Sequence, residues 1–183
     1  MVKVVIVNGM PESGKTTMQE ICSNKLRDLN WNTAIKSSVE WVKDIATYAG
    51  WNGEKTDKNR KFLSDLKRAL TDWDDAVLKN LMETIDSYHY TGLDWVIFVD
   101  IREPIEIAKA KKEFNATTVI VRRPQVECNH YSNSSDMNVF NYEYDETIWN
   151  DSNLTQFALE CEKFIKELLI NSNNIYKKEE SYN

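Results

Sequence analysis

Cysteine, histidine, glycine and long apolar runs are all scarce in this 183-residue chain, and each shortage removes a class of protein. The three cysteines, Cys22, Cys128 and Cys161, are odd in number and show no CxxC spacing. That argues against a disulfide framework or a zinc site and favours a reducing, cytoplasmic setting. No apolar run approaches the roughly 20 residues of a spanning helix. The opening stretch, residues 1–8, is too short for a signal-peptide core, so neither a membrane nor a secreted protein is expected. Basic charge is in deficit too: 23 Lys and Arg against 29 Asp and Glu give a net charge of −6. Nucleic-acid affinity comes from cations that neutralise phosphates, so general nucleic-acid binding is not expected, and only a local basic pocket for a small anion stays open. With 28% charged and 42% hydrophobic residues the chain reads as globular. Its length suits one domain over residues 1–170, followed by a polar tail, 171–183, that is expected to fray.

Five short stretches read as strands: Val2 to Val7, Trp31 to Ser37 (interrupted by Asn32 and Lys36), Leu93 to Asp100, Ala116 to Val121 and Tyr144 to Trp149. The first and third are apolar on both faces, as in strands buried inside a parallel sheet. Between them lie helical patterns over Gly14 to Leu29, Val39 to Ala49, Pro104 to Phe114 and 153–170, the last opening with Asn153 as its cap. Phe62, Leu66, Ala69, Leu70, Trp73, Val77, Leu81 and Ile85 keep i, i+3/i+4 spacing. They predict one long helix, with a break near Thr71-Asp72 as an option. The Asn- and Ser-rich segment 123–143 shows neither period. Alternating strands and helices predict an α/β protein with a mainly parallel sheet.

Gly9-Met10-Pro11-Glu12-Ser13-Gly14-Lys15-Thr16-Thr17 satisfies GxxxxGK[ST], a phosphate-binding P-loop, between a buried strand and a helix. Two of only five glycines sit in it. They let the chain turn so that successive N–H groups converge on phosphate oxygens, and the helix adds its positive end. Gly9, Glu12, Ser13, Gly14, Lys15, Thr16 and Thr17 are therefore the predicted ATP-binding residues, with Lys15 on the β- and γ-phosphates and Thr16 on Mg²⁺. Two further absences narrow the class. A guanine-reading Asn/Thr-Lys-x-Asp segment is missing, and Ile101 stands where many ATP-hydrolysing machines place a Glu after the acidic end of the strand. What remains is a small P-loop kinase.

The P-loop, Ser37-Ser38-Val39-Glu40-Trp41-Val42-Lys43-Asp44, the pair Val99-Asp100-Ile101-Arg102 and Val121-Arg122-Arg123-Pro124, and Tyr144-Asp145-Glu146-Thr147-Ile148-Trp149-Asn150-Asp151-Ser152 together resemble the P-loop nucleoside and deoxynucleoside monophosphate kinases, the phage type in particular. P-loop phosphomevalonate kinases look related. The resemblance implies a three-layer αβα fold, a five-stranded sheet in the order 2-3-1-4-5, and a lid in about 123–143. It departs at Glu12, where the phage type carries a basic residue, and at Ser152, where the family has Gly. Residues 124–151 contain no Lys or Arg.

Phosphoryl transfer needs positioning and positive charge more than covalent help. The expected catalytic set is Lys15, Asp100, Arg102 and Arg122, with Arg122 preferred over Arg123 for the inward-facing place. Asp100 ends a buried strand in a carboxylate and is the second expected Mg²⁺ contact beside Thr16. Lys43, Arg60, Arg68 and Arg102 are the expected substrate-binding cations; Arg60, Lys67 and Arg68 share a helix face, which suits either an acceptor phosphate or plain solvation. No catalytic histidine is expected, and His89 and His130 read as loop or surface residues. The expected function is Mg²⁺-assisted phosphoryl transfer from ATP to a nucleoside or deoxynucleoside monophosphate, by a monomer or homodimer. Open beside it are a kinase of the same fold acting on another small phosphorylated metabolite and a nucleotide-binding switch with little turnover.

Overall fold

Apolar alternation along the strands builds two cores, one on each face of a central sheet. In a computed structural model, which describes residues 1–127 and 138–179, the chain runs β1 (Val2–Asn8), α1 (Lys15–Asp28), β2 (Asn32–Ser37), α2 (Glu40–Tyr48), α3 (Asp57–Asp74) and α4 (Ala76–His89). It continues with β3 (Trp95–Asp100), α5 (Pro104–Phe114), β4 (Thr117–Arg122), a four-residue α6 (Pro124–Glu127), a 3-10 turn (Asn138–Phe140), β5 (Glu146–Trp149) and α7 (Leu154–Glu179). The sheet order is β2-β3-β1-β4-β5 and every pairing is parallel. Val5 and Val7, with Val96 and Phe98, face α1 and α7 and meet Met18, Cys22, Phe157 and Phe164. Their neighbours Val4, Ile6, Ile97 and Val99 face the other way and meet Leu81, Ile85, Ile107 and Ala110. Successive strand residues point to opposite faces, so the central residues of β1 and β3, Val4 to Val7 and Val96 to Val99, must all be apolar. The three-layer αβα fold and its strand order are as expected.

The expected long helix is two helices. Asp75 adopts φ 47°, a left-handed conformation, and separates α3 from α4. The turn lets Val77, Leu81 and Ile85 of α4 reach the sheet while α3 buries no residue at all. Trp73, whose spacing suggested core, is 77% exposed on the outer side of α3. An uninterrupted helix could not serve both surfaces. The segment after β4 also holds more structure than its composition suggested, namely α6 and the 3-10 turn. Residues 128–137 of the expected lid, with Cys128 and His130, lie outside the described residues. At the other end α7 opens as expected, with the Gln156 N–H donating to Asn153 Oδ1 at 3.0 Å, but it runs on to Glu179 where a frayed tail was expected. Among the described residues no helix is long and apolar enough to cross a membrane.

Candidate active site

The loop between β1 and α1 lies at the C-terminal edge of the sheet, where open α/β sheets bind ligands. Its shape follows from its glycines. Gly9 (φ +150°) passes so close to β4 that a Cβ there would sit 2.5 Å from the Val121 carbonyl oxygen. Gly14 (φ +103°) would bring a Cβ to 2.7 Å from Asn150 Nδ2. Neither position tolerates a side chain, so the backbone closes into a cradle just before the N-terminus of α1. Glu12 pays for the turn with φ 62°, a conformation that disfavours non-glycine residues. The Ser13 hydroxyl is buried in the cradle without a hydrogen-bond partner among the described residues. A buried, orphaned hydroxyl is costly unless a ligand satisfies it. Lys15 Nζ meanwhile donates to the carbonyls of Gly9 (2.6 Å) and Met10 (2.8 Å), folded back over the loop. The cradle, the orphaned hydroxyl and this ammonium fit a phosphate chain.

Asp100 closes the opposite side. It ends β3 in register with Val7 of β1, and its Oδ1 accepts from Gln19 Nε2 at 2.7 Å. Burial pushes its carboxyl above the ordinary carboxylate range, against the lowering influence of Gln19, Lys15 and Arg102. Thr16, in the first turn of α1, is exposed. Among the described residues no group of three or more His, Cys, Asp or Glu side chains could hold a metal by itself. Mg²⁺ in phosphoryl-transfer sites is held by one or two hard protein oxygens plus the substrate's phosphates. The Thr16 hydroxyl and the Asp100 carboxylate are the hard oxygens at this edge that could serve as such donors.

Three groups that organise this edge were not singled out from the sequence: Gln19, Asn8 and Asn150. Gln19 is only 2% exposed in the stripe of Met18, Cys22 and Leu26, and a polar residue inside an apolar stripe was its signal. Asn8, 1% exposed, ends a strand whose preceding four residues, Val4 to Val7, are all apolar. Asn150 follows β5; its Nδ2 donates to the Ser13 carbonyl at 2.9 Å and its N–H to the Arg122 carbonyl at 2.8 Å.

The arginines divide differently from expectation. Arg122 is clamped by Glu127, which accepts from its Nε (3.0 Å) and Nη2 (2.6 Å). Its guanidinium also stacks 4.6 Å from the Trp149 ring centroid and 5.1 Å from that of Phe140. It is Arg123 that reaches the P-loop, donating from Nη1 to the Glu12 carbonyl at 3.2 Å. Arg102 is exposed at the mouth beside Asp100.

The acceptor-side residues are not gathered. Lys43 and Arg60 are exposed on α2 and α3, and Arg68 is paired with Asp65 at 2.8 Å. None of the three lines the nearby hollow of about 50 Å³, which is walled by Ser38, Val77, Leu78, Leu81, Ile101 and Ile105. Two ion pairs bridge α5 to α3 and the turn after it: Lys67–Glu106 (2.7 Å) and Lys109–Asp75 (2.6 Å). The hollow adjoins the site, because the Ser38 N–H donates to the Asp100 carbonyl at 3.2 Å. His89 is exposed at the end of α4.

No protein-family model matches this chain, and no curated protein sequence does. Solved structures do. A sugar kinase from Janibacter sp. superposes with TM-score 0.50 at 16% identity, over 91% of this chain and 95% of that one. Shikimate kinase from Aquifex aeolicus also gives TM-score 0.50 at 16% identity, covering 94% and 98%. An APS kinase from Mycobacterium tuberculosis gives TM-score 0.50 at 13% identity, covering 90% and 96%. The chain has the P-loop kinase fold. At these identities the likeness is one of architecture, and in that architecture the glycine cradle, Lys15 and Asp100 all lie along one sheet edge.

Proposed function

We propose that this chain is an ATP-dependent, Mg²⁺-assisted phosphotransferase whose acceptor is a small phosphorylated molecule, a nucleoside or deoxynucleoside monophosphate. One observation carries the reading. The glycine cradle with its orphaned Ser13 hydroxyl lies beside Lys15 and a half-buried carboxylate, Asp100, that ends the adjacent strand. In this reading the loop N–H groups and the α1 N-terminus bind the donor's phosphates. Lys15 leaves the Gly9 and Met10 carbonyls for the transferring group. Thr16 and Asp100 hold Mg²⁺, which supplies charge neutralisation between the phosphates when bound. Arg102 and Arg123 stand on opposite sides of the loop and add positive charge where it develops. A phosphate acceptor is already anionic, so no strong base is needed. The Ile101 position, lacking a carboxylate, agrees with transfer to a bound acceptor over transfer to water.

The nucleotide acceptor is supported by the sequence resemblance and by the cations of α2 and α3. A second reading, another small phosphorylated metabolite, is favoured by the hollow beside Asp100, where Val77, Leu78, Leu81, Ile101 and Ile105 offer an aliphatic surface and the charged neighbours Asp75, Glu106 and Lys109 are already held in ion pairs. Acceptor-dependent ADP release from Mg·ATP, across all nucleoside and deoxynucleoside monophosphates and a set of aliphatic phosphates, separates the two. Turnover of about 1–100 s⁻¹ with one or two nucleotides supports the first. Turnover only with aliphatic phosphates supports the second. Tight ATP binding with no acceptor-dependent release would overturn both in favour of a nucleotide switch.

A further inference from the structure

Asn8 is the last residue of β1, and every hydrogen-bonding atom of its side chain is engaged with a different wall of the site. Its Oδ1 accepts from the Gly9 N–H at 2.8 Å, at the first turn of the P-loop. Its Nδ2 donates to the Arg102 carbonyl at 3.1 Å and to the Tyr144 hydroxyl at 2.7 Å. Tyr144 in turn donates to the Val139 carbonyl at 2.9 Å. Val139 is fully buried with Met10, Ile120 and Val126, a small cluster against which Tyr144 also packs. Met10 belongs to the P-loop, so the chain returning through residues 138–144 touches that loop by packing as well as through Asn8. Burial forces the arrangement: an amide 1% exposed must satisfy its donors and acceptor inside the protein. A simple strand residue at this place would have been apolar, like the four directly before it, Val4 to Val7.

We infer that Asn8 is a positioning residue that couples three parts of the site: the P-loop entry at Gly9, the backbone that presents Arg102, and the return segment 138–144. The inference rests on the nucleotide-binding reading of the P-loop. When phosphates order the loop, Gly9 holds Asn8 in one orientation, and that orientation fixes both the Arg102 carbonyl and the Tyr144 hydroxyl. Fully satisfied buried networks act as units, so the three parts respond together.

The test uses Asn8→Asp, which keeps size and the Gly9 acceptor but removes both donors, together with Tyr144→Phe and the Asn8→Ala/Tyr144→Phe pair. ATP and ADP affinities are read by calorimetry, and amide exchange of residues 138–144 is read with and without nucleotide. In the wild type, nucleotide is expected to slow exchange in 138–144. Asn8→Asp is expected to bind ATP about tenfold more weakly, and that protection is lost in both single variants. The double variant should lose little more affinity than the weaker-binding of the two single variants, because one network is broken only once. If the variants melt earlier yet bind ATP within about twofold of wild type and keep the protection, Asn8 is a packing residue only and the inference is overturned. Wild-type protein that binds neither nucleotide would instead overturn the P-loop reading and take this coupling with it.

Discussion

The donor half of the site and the acceptor half are built by opposite means. On the proposed donor half, the chain itself makes the surface: a backbone cradle without room for side chains, two buried amides (Asn8 and Gln19), the half-buried Asn150 and the half-buried carboxylate of Asp100. On the acceptor half, long cationic side chains stand on α2 and α3, in water or already paired with acids, above a hollow of aliphatic residues. Backbone geometry needs a few fixed residues at fixed spacing. Side-chain surfaces can be met by many sequences and many placements. The first half therefore states its ligand chemistry, while the second leaves its acceptor to be measured.

The largest effect should follow from removing the one donor-side charge that has to move. Lys15→Ala is expected to lower kcat by about three orders of magnitude, since a single transition-state donor is commonly worth about 10² to 10³. Circular dichroism should be unchanged, because Lys15 is a partly exposed residue outside both cores. Near-normal kinetics for this variant would dissolve the distinction between the halves. Asp100→Asn comes next, with kcat about 100-fold lower and the Mg²⁺ requirement of ATP binding weakened. Its stability should move the other way. A carboxyl raised by burial favours the folded state most below its unfolded value, and that advantage is lost as pH rises through the folded value. Melting of wild type against Asp100→Asn, from acid to neutral pH, should therefore show the variant gaining relative stability as pH rises.

How much of this was readable from the chain follows the same division. The P-loop, the buried strands and the acidic end of β3 were legible because apolar alternation and motif spacing are local. The strand order was not periodic information and came from the family resemblance. The break, offered from the sequence as an option near Thr71-Asp72, falls at Asp75; apolar spacing runs straight through it, and only the sheet's need for α4 fixes where the chain turns. Alternation along β4 placed Arg122 and Arg123 on opposite sides without saying which faced inward. That was decided by Glu127, on a four-residue helix whose composition looked like loop. Gln19 was legible in principle as a polar intruder in an apolar stripe. Its partner, 81 residues away, was not.

A pair of variants sharpens the acceptor half. Arg68→Ala removes charge from α3, and Leu78→Phe fills the hollow from a half-buried position without entering the sheet core. Each is expected to leave the KM for ATP unchanged. If the acceptor's phosphate is gripped on α3, Arg68→Ala raises the acceptor KM about tenfold and Leu78→Phe does little. If an aliphatic body fills the hollow, the order reverses. Equal changes in the ATP and acceptor KM values for either variant would mean that the two halves are not separable.

The smallest effect is expected where the scaffold is tied together outside both halves. Asp145 leads into β5: its Oδ2 accepts from the Thr118 N–H and hydroxyl, both at 2.9 Å, and Lys111 pairs with its Oδ1 at 2.5 Å. Burial alone would raise this carboxyl, but Lys111 and Thr118 outweigh it and hold it below the ordinary carboxylate value. A depressed group stabilises the fold above its unfolded value, and the contribution is lost as pH falls through the folded one. Asp145→Asn should therefore melt a few degrees below wild type at neutral pH, with the gap closing in acid; about 1 kcal/mol corresponds to about 2–4 °C in a domain of this size. Since Asn150 is tied to β4 through its N–H on the Arg122 carbonyl and to the P-loop through its side chain on Ser13, ATP affinity should change by less than about twofold. A larger loss of ATP affinity would show that the donor cradle depends on the sheet edge as a whole, and that its rigidity is not set by the loop and its buried amides alone.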